Sequence, residues 1–452
     1  MDNAVRQALV ILTENNQRFL SESSESKKRI GGLTLPERLV HQLAQANVTH
    51  IHITGVATSS WNTGRLPTSV QLSESPVNTS FQAALQQLDP QRATLIIRAD
   101  RIYDQRALTA AVRCLPADDR IMAVQSDWPT DVGTGPAWVG ILAMGSALVR
   151  HVAHTNGLRT PNDSAFQNAA NVEAFGELIR EIQELRHIDT LWIKPDLWFP
   201  AESESHHSGA SDFVFRAMGR STDGLVSRHI NRPISRAVSR RIVNGDITAN
   251  TVSGVVFVIG ILASVLTLTM EGWLIALGGL VYNLASILDG VDGELARARF
   301  QFSRTGAWWS AAARHIQEIA YVLSIGYVLV LSNGDPTTGI LAVGAAGLYA
   351  LQAIAENVSR LVGSKWTRKM AMFEFPDPEI KPTALVRLGR GIGAVIQRDM
   401  RALLLGLLAI GGWISIIPVM GVAVSTIAVL HFMTRLTRDA MRLSQNPIPH
   451  EA

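Results

Sequence analysis

The sequence predicts two parts of different class, an α/β domain followed by an all-α, six-span membrane domain. Three observations predict it. Short β-rich apolar runs alternate with helical patterns through roughly residues 35–193, which argues for a mostly parallel sheet covered by helices. Six apolar segments of spanning length follow, at roughly 251–270, 272–290, 306–331, 337–362, 401–418 and 419–436. Hydrophobic residues make up 47% of the 452, and mean hydropathy is positive, as expected of a chain half in a membrane. The expected boundaries are 1–212 for the soluble domain, 213–248 for a juxtamembrane segment and 249–452 for the membrane domain.

In the soluble half, MDNAVRQALVILTENNQRFL carries charges and amides among its apolar residues. It reads as an amphipathic helix and not as a signal peptide. Ser21–Lys28 is a polar linker without glycine. His50–Val56, Thr94–Ala99, Arg120–Val124, Ala137–Ala143 and Thr190–Ile193 are strand candidates. Leu35–Ala46, Leu108–Cys114 and Phe166–Leu185 have helical periodicity. Cys114 is the single cysteine, so an intrachain disulfide framework is excluded and reducing cytosol is compatible.

A second polar linker runs from Glu202 to Ser211. After it, Arg216, Arg220, Arg228, Arg232, Arg236, Arg240 and Arg241 recur near helical spacing, with Ile230, Ile234, Val238 and Ile242 between them. This is an amphipathic segment suited to an anionic membrane leaflet. Nucleic acid is disfavoured as its partner because a span follows at once. Basic residues recur in alternate connections: before the first span, across Arg297–Arg304, across Lys365–Arg401 and across Arg435–Arg442. The opposite connections, around Glu271, Asp335 and Pro418, carry no lysine or arginine. By the positive-inside rule the basic side is cytoplasmic. Six spans would then place both termini in the cytoplasm of a multi-pass inner-membrane protein. Gly278, Gly279, Gly344 and Gly347 fit close helix packing.

The stretch with chemistry is Asp289-Gly-Val-Asp-Gly-Glu-Leu-Ala-Arg297, followed after eight residues by Gly306. Asp289 and Asp292 share one helix face. Acidic groups at a membrane-length segment are costly and so are functional candidates. Oxygen ligands suit Mg²⁺ or a similar hard cation. The glycines would admit a phosphorylated ligand, and Arg297 could pair with its phosphate.

This stretch resembles the signature of the CDP-alcohol phosphotransferase family, DxxDGxxAR-x8-G-xxx-D-xxx-D. Asp289, Asp292, Gly293, Ala296, Arg297 and Gly306 fall on it; Ser310 and Arg314 stand where the third and fourth aspartates belong. The resemblance implies that Asp289 and Asp292 hold Mg²⁺ or Mn²⁺. It also implies that Gly293, Ala296, Arg297 and Gly306 frame a CDP-alcohol or CDP-headed lipid, and that the protein is a homodimer. The family's fourth aspartate is taken to be the base that deprotonates the acceptor hydroxyl, which an arginine cannot do.

The soluble half is similar to sugar-nucleotide-type nucleotidyltransferases. Leu35–Ile53 resembles that family's second helix and following strand. Leu95–Asp104 resembles the strand that ends in its metal-binding aspartate, here Asp100. The first strand and its glycine-rich triphosphate loop should precede Gly31, and no such loop is present, so the domain reads as truncated. Asp100 is either a surviving metal ligand or a turn residue capping a strand. Thr222–Arg236 resembles the start of the membrane domain in bifunctional inositol-phosphate cytidylyltransferase/CDP-inositol transferases.

In the third span, Ser310, Arg314, His315, Gln317 and Glu318 occupy the polar half. Arg314 should face the bundle interior and pair with Asp289 and Asp292. Two carboxylates and one arginine sum to −1, which leaves either one Mg²⁺ held with substrate phosphates or no metal, the guanidinium replacing it. Glu318, one turn beyond Arg314, is the candidate substitute base, against a paired structural carboxylate. Gln352, Glu356, Asn357 and Arg360 share a face of the fourth span. Two functions follow from these readings. One is transfer of a phospho-alcohol from a CDP-alcohol to an acceptor hydroxyl with release of CMP, in polar-lipid biosynthesis. The other is a catalytically silent relative that binds a CDP-headed ligand or a partner subunit.

Overall fold

A computed structural model describes residues 6–12, 29–56, 66–76, 81–115, 120–127, 137–154, 188–201, 204–218, 224–362 and 397–445. The expected linker Ser21–Lys28, the expected helix Phe166–Leu185 and most of the Lys365–Arg401 connection lie outside these residues. The chain divides into two compact units. The first is Met1–Met218 with Val243–Gly245 and Ala298–Phe300; the second holds Gly219–Ile242, Asp246–Arg297 and Gln301–Ala452.

The first unit is α/β, as predicted. Its strands are β1 Arg6–Ile11, β2 Val48–Val56, β3 Gln71–Pro76, β4 Thr94–Arg98, β5 Arg101–Tyr103, β6 Ile121–Ser126, β7 Ala137–Met144, β8 Ile188–Ile193 and β9 Trp198–Pro200. Its helices are α1 Leu35–Gln45, α2 Phe81–Gln86, α3 Gln105–Arg113, α4 Ser146–His154 and α5 His207–Ala217. Seven strands form one sheet in the order β3-β2-β1-β4-β7-β6-β8, and β5 pairs with β9. The sheet is mixed: β7 runs antiparallel to both β4 and β6, while the other pairs are parallel.

Two readings of this half are corrected. Arg6–Ile11 is a strand and not part of an amphipathic helix. It lies between β2 and β4, and Ala8, Leu9, Val10 and Ile11 are all at most 1% exposed. A strand buried on both faces reads as a continuous apolar run, and six residues cannot reveal a period. The polar Gln7 is satisfied there by Asp89 O at 2.8 Å and Thr94 Oγ1 at 2.9 Å. The first strand is thus present ahead of Gly31. The linker reading of Glu202–Ser211 also fails, because α5 begins at His207. Tertiary burial overrides its polar composition: Ala210, Phe213 and Val214 pack with Ile30, Leu35 and Ile102. Helix α1 starts as its sequence directs, with Thr34 and Glu37 forming a capping box.

The second unit is helical: α6 Arg232–Ile242, α7 Ala249–Leu268, α8 Gly272–Ala298, α9 Arg304–Asn333, α10 Pro336–Val362, α11 Arg398–Ile410 and α12 Ile416–Gln445. Four of the described helices, α7 to α10, are long and apolar enough to cross a membrane. The fifth predicted span takes a different form, while the sixth lies within α12. Helix α11 has 13 residues and rises about 20 Å, short of a bilayer core. It stops at Gly411 and Gly412, where Gly412 adopts a φ of +76° that a side chain would resist. Pro418 then falls in the first turn of α12, where a missing N–H costs nothing.

The bundle core gathers Tyr282 from α8, Tyr321 and Ile325 from α9, Tyr349 from α10, Leu405 from α11 and Ile417 from α12. Close packing occurs at two of the four predicted glycines. A Cβ at Gly278 would lie 2.8 Å from Ala263 O, and one at Gly279 would lie 2.8 Å from Gly406 O. A Cβ at Gly344 would make only an ordinary contact, 3.9 Å from Val422 Cγ2, and Gly347 has open space.

Candidate functional site

Helix α8 carries its acidic motif on consecutive turns, and three other helices supply the partners. Asp292 is buried, and Ser253 of α7 donates to its Oδ2 at 2.6 Å. Ser310 of α9 also hydrogen-bonds it. Asp289 accepts from Arg314 Nη1 of α9 at 3.4 Å and from Arg398 Nη1 of α11 at 2.8 Å, both on Oδ2. The predicted Arg314–Asp289 pair forms; the second guanidinium, from Arg398, was hidden in a basic connection that looked generic. Ser253 was missed too, because a lone serine in an apolar span carries no signal of its partner.

The motif glycines are tight. A Cβ on Gly306 would come within 2.6 Å of Asn250 Oδ1, and one on Gly293 within 3.1 Å of Arg297 Nη1. Gly306 therefore lets α7 approach α9, and Gly293 lets the Arg297 side chain fold back along α8. Ala296 lies half-buried on the same helix.

Glu318 does not stand free for proton transfer. It is 1% exposed and ion-paired with Arg401 of α11, Oε1 to Nε at 3.1 Å, and Arg401 Nη2 donates to Oε2 at 3.2 Å. Arg401 also donates to Gln352 Oε1 at 3.3 Å and stacks its guanidinium 5.1 Å from the Tyr349 ring centre. The weighed alternative of a paired structural carboxylate describes this geometry. Gln352 is the described member of the polar row on α10; the side chains of Glu356, Asn357 and Arg360 lie outside the described residues.

Glu294, inside the motif but outside the signature, anchors α6. Its carboxylate accepts from Arg232 Nη1 at 3.0 Å, Ser235 Oγ at 2.9 Å and Ser239 Oγ at 2.7 Å. Asn231, Ser235 and Ser239 thus form the inward stripe of this segment, and Ile230 and Ile234 are left 41% and 44% exposed.

Whether these residues fit a divalent cation follows from charge. Asp289 and Asp292 contribute −2, Arg314 and Arg398 +2, and the sum is zero. At an effective dielectric constant of about 20, each guanidinium about 4 Å from a divalent ion offsets the roughly 8 kcal/mol of attraction from one carboxylate, so no net attraction is left to repay the ion's dehydration. Among the described residues no three His, Cys, Asp or Glu side chains gather as a metal site. In this arrangement the residues do not fit a divalent cation.

The α/β unit also pairs a buried aspartate with an arginine. Asp100 is fully buried after β4 and held by Arg98, whose Nε donates to Oδ1 at 3.1 Å and whose Nη2 donates to Oδ2. Arg101 Nε lies 4.0 Å from Oδ1. Its carboxylate is spent inside the protein.

No protein-family model matches the chain. It is 30% identical over 153 residues to a bifunctional IPC transferase and DIPP synthase of Thermococcus kodakarensis, covering 34% of each chain. It is 27% identical over 220 residues to the protein of the same name from Archaeoglobus fulgidus, covering 47% of this chain and 43% of that one. The chain thus spans about a third to under half the length of these two relatives. Among solved structures, the inositol-1-phosphate CTP transferase from T. maritima covers 47% of this chain and 98% of its own, with 11% identity and a TM-score of 0.33. The chain is therefore an α/β and helical protein similar in sequence to bifunctional IPC transferase and DIPP synthases.

Proposed function

We propose that the chain is a membrane-embedded, CDP-alcohol phosphotransferase-like protein whose α8 motif binds a CDP-headed ligand without turning it over. The observation that carries this reading is the set of partners at the motif. Asp289 is bound to two arginines, and the base candidate Glu318 is locked to Arg401. The signature residues for ligand binding remain, while the groups for proton removal are absent or engaged. The ligand class rests on the resemblance of the α8 motif to CDP-alcohol phosphotransferases, and the relatives named IPC transferase and DIPP synthase are compatible with it.

The basic connections face the cytoplasm, which puts the motif where a water-soluble CDP-alcohol or a CDP-headed lipid arrives. Exposed aromatic residues at helix ends support a bilayer setting: Trp273 at the start of α8, Phe302 and Trp308 at the start of α9, and Trp413 after α11. The competing reading is an active transferase. The test is CMP release by the purified protein in lipid, offered CDP-diacylglycerol and CDP-inositol with Mg²⁺ or Mn²⁺. No turnover is expected from wild type, and Ser310→Asp with Arg314→Asp is expected to gain it. Turnover by wild type that Asp292→Asn abolishes would establish the active reading instead.

A further inference from the structure

We infer that Arg398, together with Arg314, is the resident cation of the α8 motif, so that ligand binding there is independent of divalent metal. The inference deepens the proposed reading of the motif as a CDP-ligand site and rests on it only for the identity of the ligand. Three observations carry it. Arg398 and Arg314 reach the same oxygen of Asp289 from different helices, at 2.8 and 3.4 Å. The four charged side chains sum to zero, so the electrostatic demand that a metal would satisfy is already met. Arg398 is also positioned by its own helix: Arg401, one turn further along α11, is clamped by Glu318 of α9 and Gln352 of α10. That clamp fixes the height and rotation of α11, and residues three apart share a helix face. The guanidinium of Arg398 is therefore held at the carboxylate and is not a loose side chain that a metal could push aside.

The chemistry also names what the site grips. A guanidinium presents a planar fork of donors that matches phosphate oxygens, and it keeps its charge at every working pH. A diphosphate bridging Arg314 and Arg398 would exchange one anionic partner for another, with Asp289 holding the fork in place until the ligand arrives. A metal-dependent site would need the ligand and the cation together.

The test is Mn²⁺ binding followed by the loss of free-ion electron paramagnetic resonance signal, on the full chain in phosphatidylcholine nanodiscs. Each protein is compared with its Asp289→Asn form, so only binding that depends on Asp289 is read. Wild type is expected to show none. Arg314→Gln with Arg398→Gln is expected to gain about one Mn²⁺ per chain, lost again on adding Asp289→Asn. Asp289-dependent Mn²⁺ binding by wild type overturns the inference, and that arm needs no arginine variant to fold. A well-folded double variant that still binds none also overturns it, because the arginines would then not be what excludes the ion. In a parallel arm, binding of CDP-diacylglycerol is measured with Mg²⁺ and with EDTA. Equal binding in both supports the inference, and binding that needs Mg²⁺ overturns it. No nucleotide binding at all, with the Mn²⁺ result intact, would end the CDP-ligand reading and leave the arginine-filled site standing.

Discussion

Glu318 and Arg401 are 1% and 2% exposed, and in such surroundings removing one partner strands the other's charge. Breaking a buried pair in this way costs about 3–5 kcal/mol. Glu318→Gln is therefore expected to lower the unfolding temperature clearly, read by tryptophan fluorescence, and Glu318→Gln with Arg401→Met to recover part of the loss. A Glu318→Gln protein as stable as wild type would show that the pair holds nothing together. At the other end of the chain, His52 is buried in β2 with Ser73 Oγ 2.7 Å from Nδ1 and Ser75 Oγ 2.6 Å from Nε2. Burial pushes its pKa below the ordinary 6.5. The unfolded chain then binds the proton more readily, so stability should fall as pH drops below about 6.5 towards the lowered value. Comparing denaturant midpoints at pH 7.5 and pH 5 for wild type and His52→Gln checks the sign; the variant should lose this part of the slope. Arg314 could be paired with Asp289 from sequence because an arginine in a span must find an anion. Arg398 could not, because its meaning depends on where α11 begins.

The motif helix α8 is coupled to α6 by one carboxylate with three donors. Glu294→Gln removes the charge that Arg232 pairs with and leaves one carbonyl for Ser235 and Ser239 to share. Hydrogen bonds to charged groups are worth about 1.5–3 kcal/mol each. The expected result is faster amide hydrogen exchange across Arg232–Ile242 with little change in α9; unchanged exchange in α6 would remove Glu294 as its anchor. The apolar–basic pattern of α6 was legible in sequence, but the inward stripe was not. Its two serines are buried against a single acidic partner 55 or more residues away. Strand β1 was illegible for a related reason. Its burial on both faces comes from β2 and β4, which lie more than 35 residues downstream, and a six-residue apolar run does not separate strand from helix. The strands β2, β4, β6 and β7 and the helix α1 were legible because composition, caps and turns agreed there with the tertiary fold.

At the scale of the molecule, both units pair a buried or half-buried aspartate in the same way. In each, an aspartate at a position that resembles a metal ligand is satisfied by arginines of the chain itself, Asp100 by Arg98 and Asp289 by Arg314 and Arg398. The two-part organisation, the apolar helices and the α8 motif were legible because length, hydropathy and spacing are properties of the sequence. The second cation at the motif, Arg398, was not, because it comes from a helix 109 residues away. The most direct test of the central claim is equilibrium binding of radiolabelled CDP-diacylglycerol to the purified protein in nanodiscs. Saturable binding that CMP competes away, and that Arg297→Ala weakens at least tenfold with the fold intact, is the result this account predicts. Binding that is absent, or equal in wild type and Arg297→Ala, would contradict it.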